Sequence, residues 1–165
     1  MKTYVLMISK TFMKSHPRGG QLTYFRDKIE YALTDKVSGK IHTIRGNYDL
    51  WSKRADEINA GKAILSVRQW TKSPYNYERD GSKQQEFIKL NKIGVQQIKI
   101  VHWAPVTPSR LIDGRAFQKE CVVDRARSIP ANQIAKNDGL NYPDFYDWFK
   151  DDFEGCIIHF TDFRY

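Results

Sequence analysis

Gly39-Lys40-Ile41-His42-Thr43-Ile44-Arg45-Gly46 is the stretch on which the reading of this chain turns. Polar and apolar side chains alternate from Lys40 to Arg45 with a period of two, which is the pattern of a strand. Ile41 and Ile44 do not share a face under strict alternation, so the segment predicts a strand with a bulge or turn in it. The same six residues hold a point charge in Lys40, a planar fork in Arg45 and short-range hydrogen-bonding groups in His42 and Thr43. A guanidinium fork suits phosphate or a base edge. On a bent strand entering a cleft, Lys40, Thr43 and Arg45 would converge on one anionic or polar ligand. The plainer reading is a solvated edge strand with His42 at the surface.

Outward from this stretch, strand and helix patterns interleave. Residues 4–9 form a short apolar run that suits a buried first strand. Phe25, Ile29 and Leu33 recur at spacing four with Ala32 beside them, predicting a helix over residues 24–33 that Thr23 caps. Residues 47–58 read as a short helical or irregular connection with Leu50, Trp51 and Ile58 inward. Residues 63–70 and 95–103 read as strands, the second ended by Pro105 and Pro108. Polar residues 71–83, with Pro74 and Gly81, predict a loop, and residues 84–91 a short helix carrying Phe87, Ile88 and Leu90. A strand is expected within 114–124 and a helix from Ile129. A second helix starts near Asn141, with Pro143 in its first turn and Phe145, Trp148 and Phe149 as a core stripe. Gly155 ends it, and residues 156–163 close the chain as a strand. No repeat, linker or low-complexity tract interrupts the pattern. The expected fold is α+β, a small mixed β-barrel of five or six strands decorated with about three short helices.

The totals agree with one domain over residues 1–165. At 41% hydrophobic residues, with nine Tyr, nine Phe and four Trp, the chain can bury a core and is not disordered in composition. Lys and Arg outnumber Asp and Glu by 27 to 19, a formal charge of +8 with a pI near 9.5. Such a surplus attracts polyanions, nucleic acid first, although a merely soluble basic protein would have it too. Cys121 and Cys156 form no CxxC pair or zinc pattern; they read as reduced core thiols, with a disulfide between them left open. The N-terminus lacks a long apolar region, and no run approaches the ~18–20 apolar residues of a membrane helix. These features place the protein in the cytoplasm, with no membrane, metal or cofactor expected.

Lys40-x-x-Thr43-Ile44-Arg45, after a short helix and turn and ahead of the Gly61-Lys62-Ala63 strand start, resembles the signature of ASCH domains, relatives of the PUA RNA-binding fold. The likeness extends to the first strand, the helix over 24–33, the strand over 63–70, Asn137-Asp138-Gly139-Leu140, Phe145 and the last strand. It implies a PUA-like barrel and a basic cleft that accepts RNA or a nucleotide. In one branch, the small bacterial acetylcytidine amidohydrolases, a Lys, a Thr and a Glu form the catalytic set. The Lys matches Lys40 and the Thr matches Thr43. Asp138 is the nearest carboxylate to the position of the Glu, one methylene shorter. In that chemistry Lys40, desolvated to a lower pKa, takes the Thr43 proton, and Asp138 orients Lys40 or shuttles a proton.

Other residues compete for attention. Trp70, Tyr75 and Tyr77 would stack on unpaired bases while Arg68 and Lys72 meet phosphate; equally, Trp70 belongs to the core and the tyrosines pin a loop. His16-Pro17-Arg18-Gly19-Gly20 precedes the first helix and reads as an anion loop or, more simply, a turn. Three functions remain open. They are a monomeric module for RNA or a nucleotide, an amidohydrolase of an acylated nucleoside such as acetylcytidine, and a non-catalytic protein-interaction domain.

Overall fold

A computed structural model describes residues 1–35, 38–102, 111–112, 115–116 and 119–165. The first strand, β1 (Lys2–Ile8), turns Leu6 and Ile8 inward and leaves Lys2, Thr3 and Val5 exposed. It lies parallel to β3 (Ala63–Trp70), whose Ala63, Leu65 and Val67 are buried on the same side. A parallel pair cannot be joined by a tight turn. The chain between them runs through α1 (Phe25–Asp35), β2 (His42–Arg45) and α2 (Tyr48–Asn59). In α1, Phe25, Ile29 and the neighbouring Ala32 are buried as their spacing predicts, and Leu33 packs against the core half-buried. In α2 the buried face is Trp51, Ala55 and Ile58, while Leu50, expected inward, is 41% exposed. Asn47 starts α2 by accepting a hydrogen bond from the Leu50 amide at 3.1 Å.

Past β3, residues 71–83 form the expected connection, closed by backbone bonding between Thr71 and Lys83 and containing the four-residue α3 (Tyr77–Asp80). The side chain of Tyr77 lies outside the described residues. The helix expected over 84–91 is instead a strand, β4 (Gln84–Leu90), antiparallel to β3 with a register shift between Val67 and Arg68. The reason is tertiary. The open edge of β3 offers a ladder of hydrogen bonds, and pairing with it overrides a weak local preference.

A second sheet is fully antiparallel, in the order β2, β10 (Phe153–His159), β5 (Gly94–His102), β8 (Lys119–Val123), β9 (Arg127–Pro130). The two-residue strands β6 (Leu111–Ile112) and β7 (Arg115–Ala116) pair with each other. Strand β9 takes Ile129, the expected start of a helix; that helix, α4 (Ala131–Asn137), starts after Pro130, and α5 (Tyr142–Trp148) follows it. The expected strand terminators Pro105 and Pro108, together with Trp103 and most of the early part of the 114–124 strand, lie outside the described residues.

The core lies where the two sheets and the helices meet. Ile98, Ile100, Ile157, Ile158, Ile134 and Phe145 are fully buried, and Trp148 and Phe149 pack against them half-buried. Cys121 and Cys156 are both buried and free. The class is α+β as expected. The closed barrel of five or six strands is not what the ladders form: eight strands make two sheets, and among the described residues no ladder joins them. No helix among the described residues is long and apolar enough to cross a membrane.

Candidate functional site

The Lys40 segment is clamped before β2 begins. Its amide donates to the Lys28 carbonyl of α1 at 3.0 Å, and the Ile41 amide donates to the Asn137 carbonyl of α4 at 3.0 Å. The Lys40 side chain is therefore driven inward and is only 1% exposed. Nζ donates to both the backbone oxygen and Oδ1 of Asp138, each at 2.6 Å, and stands 4.1 Å from the centre of the Phe25 ring. Asp138 is the C-cap of α4, where a cation also meets the unpaired carbonyls of a helix end. Burial lowers the Lys40 pKa to about 8, against the attraction of Asp138; Arg45 and Lys28 push the same way as burial. Burial alone would raise the Asp138 carboxyl, but Lys40 and His42 outweigh it, and the group stays below the usual carboxylate range.

His42 joins this group from the next turn of the strand. It is fully buried, not at the surface, with Nδ1 3.6 Å from Asp138 Oδ1, longer than a hydrogen bond. Nε2 lies 2.8 Å from the Tyr165 hydroxyl, which accepts a further bond from Asn137 Nδ2 at 2.8 Å. A neutral ring with its proton on Nδ1 accepts the Tyr165 proton at Nε2 and turns Nδ1 toward Asp138 without a hydrogen-bond partner among the described residues. Burial holds the His42 pKa below its ordinary value.

Thr43 and Arg45 leave β2 on the other side, as strand alternation requires. Arg45 Nη1 donates to Thr43 Oγ1 at 2.9 Å and to the Ile44 carbonyl at 2.7 Å, and Nη2 donates to the Met7 carbonyl of β1 at 2.7 Å. The guanidinium thus ties the edge of the large sheet to the small one. Among the described residues no hydrogen bond joins Lys40 to Thr43. The fold brings Lys40, His42 and Asp138 together, and Thr43 with Arg45, as two separate constellations. Asn137 entered the sequence reading only as part of the resemblance and Tyr165 not at all; their parts depend on how the chain end packs on α4.

Arg68 and Trp70 belong to the small sheet. Arg68 Nε donates to Ser66 Oγ at 2.8 Å, and Ser66 donates in turn to Glu86. The half-buried Trp70 ring lies 5.2 Å from Tyr75, which is 87% exposed. The loop around His16 is a structural turn: His16 is buried, stacks on Phe12 at 4.5 Å and accepts the Arg18 amide proton at Nδ1. Among the described residues no group of three or more His, Cys, Asp or Glu side chains is placed to hold a metal ion.

Two adjoining pockets open beside these groups. One, of about 400 Å³, is lined by Lys10, Tyr24, Arg26, Gln69, Trp70 and Gln85, among others. The other, of about 240 Å³, is lined by Arg18, Tyr24, Lys28, Gly139, Asn141 and Asp144, among others. Gly139, at φ +76°, forms the wall between the smaller pocket and Lys40; a Cβ there would stand 3.0 Å from Lys40 Cβ and 3.3 Å from Lys28 Cδ. Fold and site together define an α+β protein with a buried Lys–Asp–His network beneath a mixed-charge surface groove. No family model, curated protein or solved structure matches the chain.

Proposed function

We propose that the chain is an ASCH-type module of PUA-like architecture that binds RNA or a nucleotide. The observation that carries this reading is the meeting of Lys40 with Asp138. The resemblance matches both positions to one site, they lie 98 residues apart in the chain, and Nζ and Oδ1 are 2.6 Å apart. On this reading the two sheets are the halves of an incompletely closed mixed barrel, with β1 and β3 as its parallel pair and Arg45 as the link from β2 to β1. Because Lys40 is wholly buried, the pair supports the floor of a cleft, and the ligand meets other cations above it. The +8 surplus supplies the attraction. The test is fluorescence anisotropy with a labelled single-stranded RNA. Affinity should fall steeply between about 50 and 200 mM salt, because phosphate contacts release counterions. No binding at the lower salt concentration would end the reading.

A second reading, an amidohydrolase of an acylated nucleoside, is favoured by one feature: a lysine with its pKa lowered to about 8 beside a carboxylate. A neutral Lys40 has the basicity to take a proton from a threonine hydroxyl. Thr43 Oγ1 would first have to leave Arg45. Hydrolysis of acetylcytidine by the wild type, lost in folded Lys40→Ala and Thr43→Ala, would establish it. No turnover would leave the binding module.

A further inference from the structure

Tyr24 is held in a backbone conformation that a tyrosine rarely adopts, and the residue is largely exposed. Its φ is +56°, in the left-handed region that favours glycine. The backbone on either side is pinned. The Thr23 amide donates to the Lys10 carbonyl at 3.0 Å, Thr23 Oγ1 donates to the Ser9 carbonyl at 2.8 Å, and the Lys28 amide donates to the Tyr24 carbonyl at 3.0 Å. The residue is 58% exposed and lines both pockets. Nothing in the core requires a tyrosine here, and a glycine would fit the backbone better.

The two pockets differ in charge. In the larger, Lys10 and Arg26 face Asp27 and Glu30, so the lining is balanced, and Gln69 and Gln85 add amides that can donate and accept. In the smaller, Arg18 and Lys28 face Asp144 alone, leaving one positive charge in excess. Lys28 spends one proton on the Gly139 carbonyl at 2.7 Å, and Arg18 spends Nη1 on Asp144 and Nε on Gln21. Among the described residues, two Lys28 protons and the Arg18 Nη2 group make no further hydrogen bond. A planar, neutral, hydrogen-bonding group suits the first pocket, an anion the second, and an aromatic face lies between them. A nucleotide has those parts in that order: base, then phosphate.

We propose that this groove holds an unpaired nucleotide of a single-stranded RNA, with its base stacked on Tyr24 over the larger pocket and its phosphate on Arg18 and Lys28 in the smaller. The assignment rests on the RNA-binding reading and moves the contact from the β2 motif to the start of α1. Base–aromatic stacking tolerates any base, so the site contributes affinity more than sequence preference.

The experiment compares wild type, Tyr24→Gly, Tyr24→Phe and Lys28→Gln by anisotropy with a fluorescein-labelled oligouridylate over a salt series, with thermal unfolding as the folding control. Tyr24→Gly should fold at least as well as the wild type, since glycine adopts the same φ freely. It should bind about tenfold or more weakly, the loss of one stacking contact. Tyr24→Phe should bind like the wild type. Lys28→Gln should lower the slope of log affinity against log salt by about 0.7, the signature of one phosphate lost from a single strand. Wild-type RNA binding that Tyr24→Gly and Lys28→Gln leave unchanged would overturn the groove while leaving the module reading intact. Absence of RNA binding in the wild type would overturn both. Capture of a polyglutamate peptide but not RNA, lost in Lys28→Gln, would give the groove to an acidic peptide instead.

Discussion

At the scale of single residues, the buried polar groups near β2 divide into those with partners and those without. Lys40 and Asp138 satisfy each other at 2.6 Å, and a buried charge is tolerated only when it is paired in this way. His159 is different: it is fully buried, 5.6 Å from the His42 ring and 6.0 Å from Tyr165, and neither of its ring nitrogens has a hydrogen-bond partner among the described residues. Burial, with His42 and Arg164 adding repulsion, lowers its pKa from 6.5 to about 2. Between those values the unfolded chain binds a proton that the folded chain does not. Stability therefore rises with pH through this window and is lost on acidification below about 6.5, by up to ~1.4 kcal/mol per pH unit for this group. His42, lowered likewise, acts with the same sign, and the depressed Asp138 carboxyl adds to the loss below its ordinary range. His159→Phe keeps the ring and removes the titration. We expect urea unfolding of the variant to match the wild type at neutral pH or exceed it, and to show a shallower loss between about pH 4 and 6 by roughly one proton's worth of slope. Equal slopes would mean that His159 is charged in the folded protein.

At the scale of elements, β2 and β10 approach so closely that only glycine fits at one point. Gly155 of β10 pairs with Ile98 on one side, and a Cβ there would collide with the Arg45 carbonyl oxygen and stand 2.8 Å from the Phe153 ring. A backbone oxygen held in a ladder cannot move aside as a flexible side chain can. Gly139, between α4 and α5, is a milder case, because its obstacles are the Lys40 and Lys28 side chains, though its φ of +76° adds strain for any other residue. Gly155→Ala is expected to lower the unfolding free energy by about 3 kcal/mol or more, and Gly139→Ala by about 1–3 kcal/mol. Chemical denaturation of the two variants checks the order; the reverse order would show that β10 has room to shift.

At the scale of the whole molecule, the two sheets share a core but no ladder among the described residues, so side chains must couple them. Arg45 does this with directional bonds, reaching the Met7 carbonyl of β1 and the Ile44 carbonyl of β2 from one planar group. A lysine carries the same charge but is a single point donor and cannot span both carbonyls with fork geometry. Arg45→Lys should cost about 2 kcal/mol, the range for hydrogen bonds to a charged group. Native-state hydrogen exchange should speed up more at β1 amides than at β5 amides. Uniform exchange changes would show that the sheets open as one unit without this link.

Much of the element pattern was legible in the residues themselves. The apolar runs read as strands at 63–70 and 95–103, the second found as Gly94–His102, the spacing-four recurrence of Phe25 and Ile29 with Ala32 beside it, and the Phe145 face of α5 all follow from which side chains must leave water. So does the α+β class. The pairing of Lys40 with Asp138 was legible only through the resemblance, because no local rule links positions 98 residues apart. Tertiary structure alone decided that residues 84–90 are a strand, since their partner is the distant edge of β3. It alone separated Thr43 and Arg45 from Lys40, because the direction of a side chain depends on which face of the strand the rest of the chain covers. It also decided that Tyr24 stands exposed between two pockets, a result of hydrogen bonds to Ser9 and Lys10 that hold its backbone where its own preference would not. Local sequence sets periodicity and burial through side-chain hydrophobicity; contacts between distant segments set pairing, facing and strain.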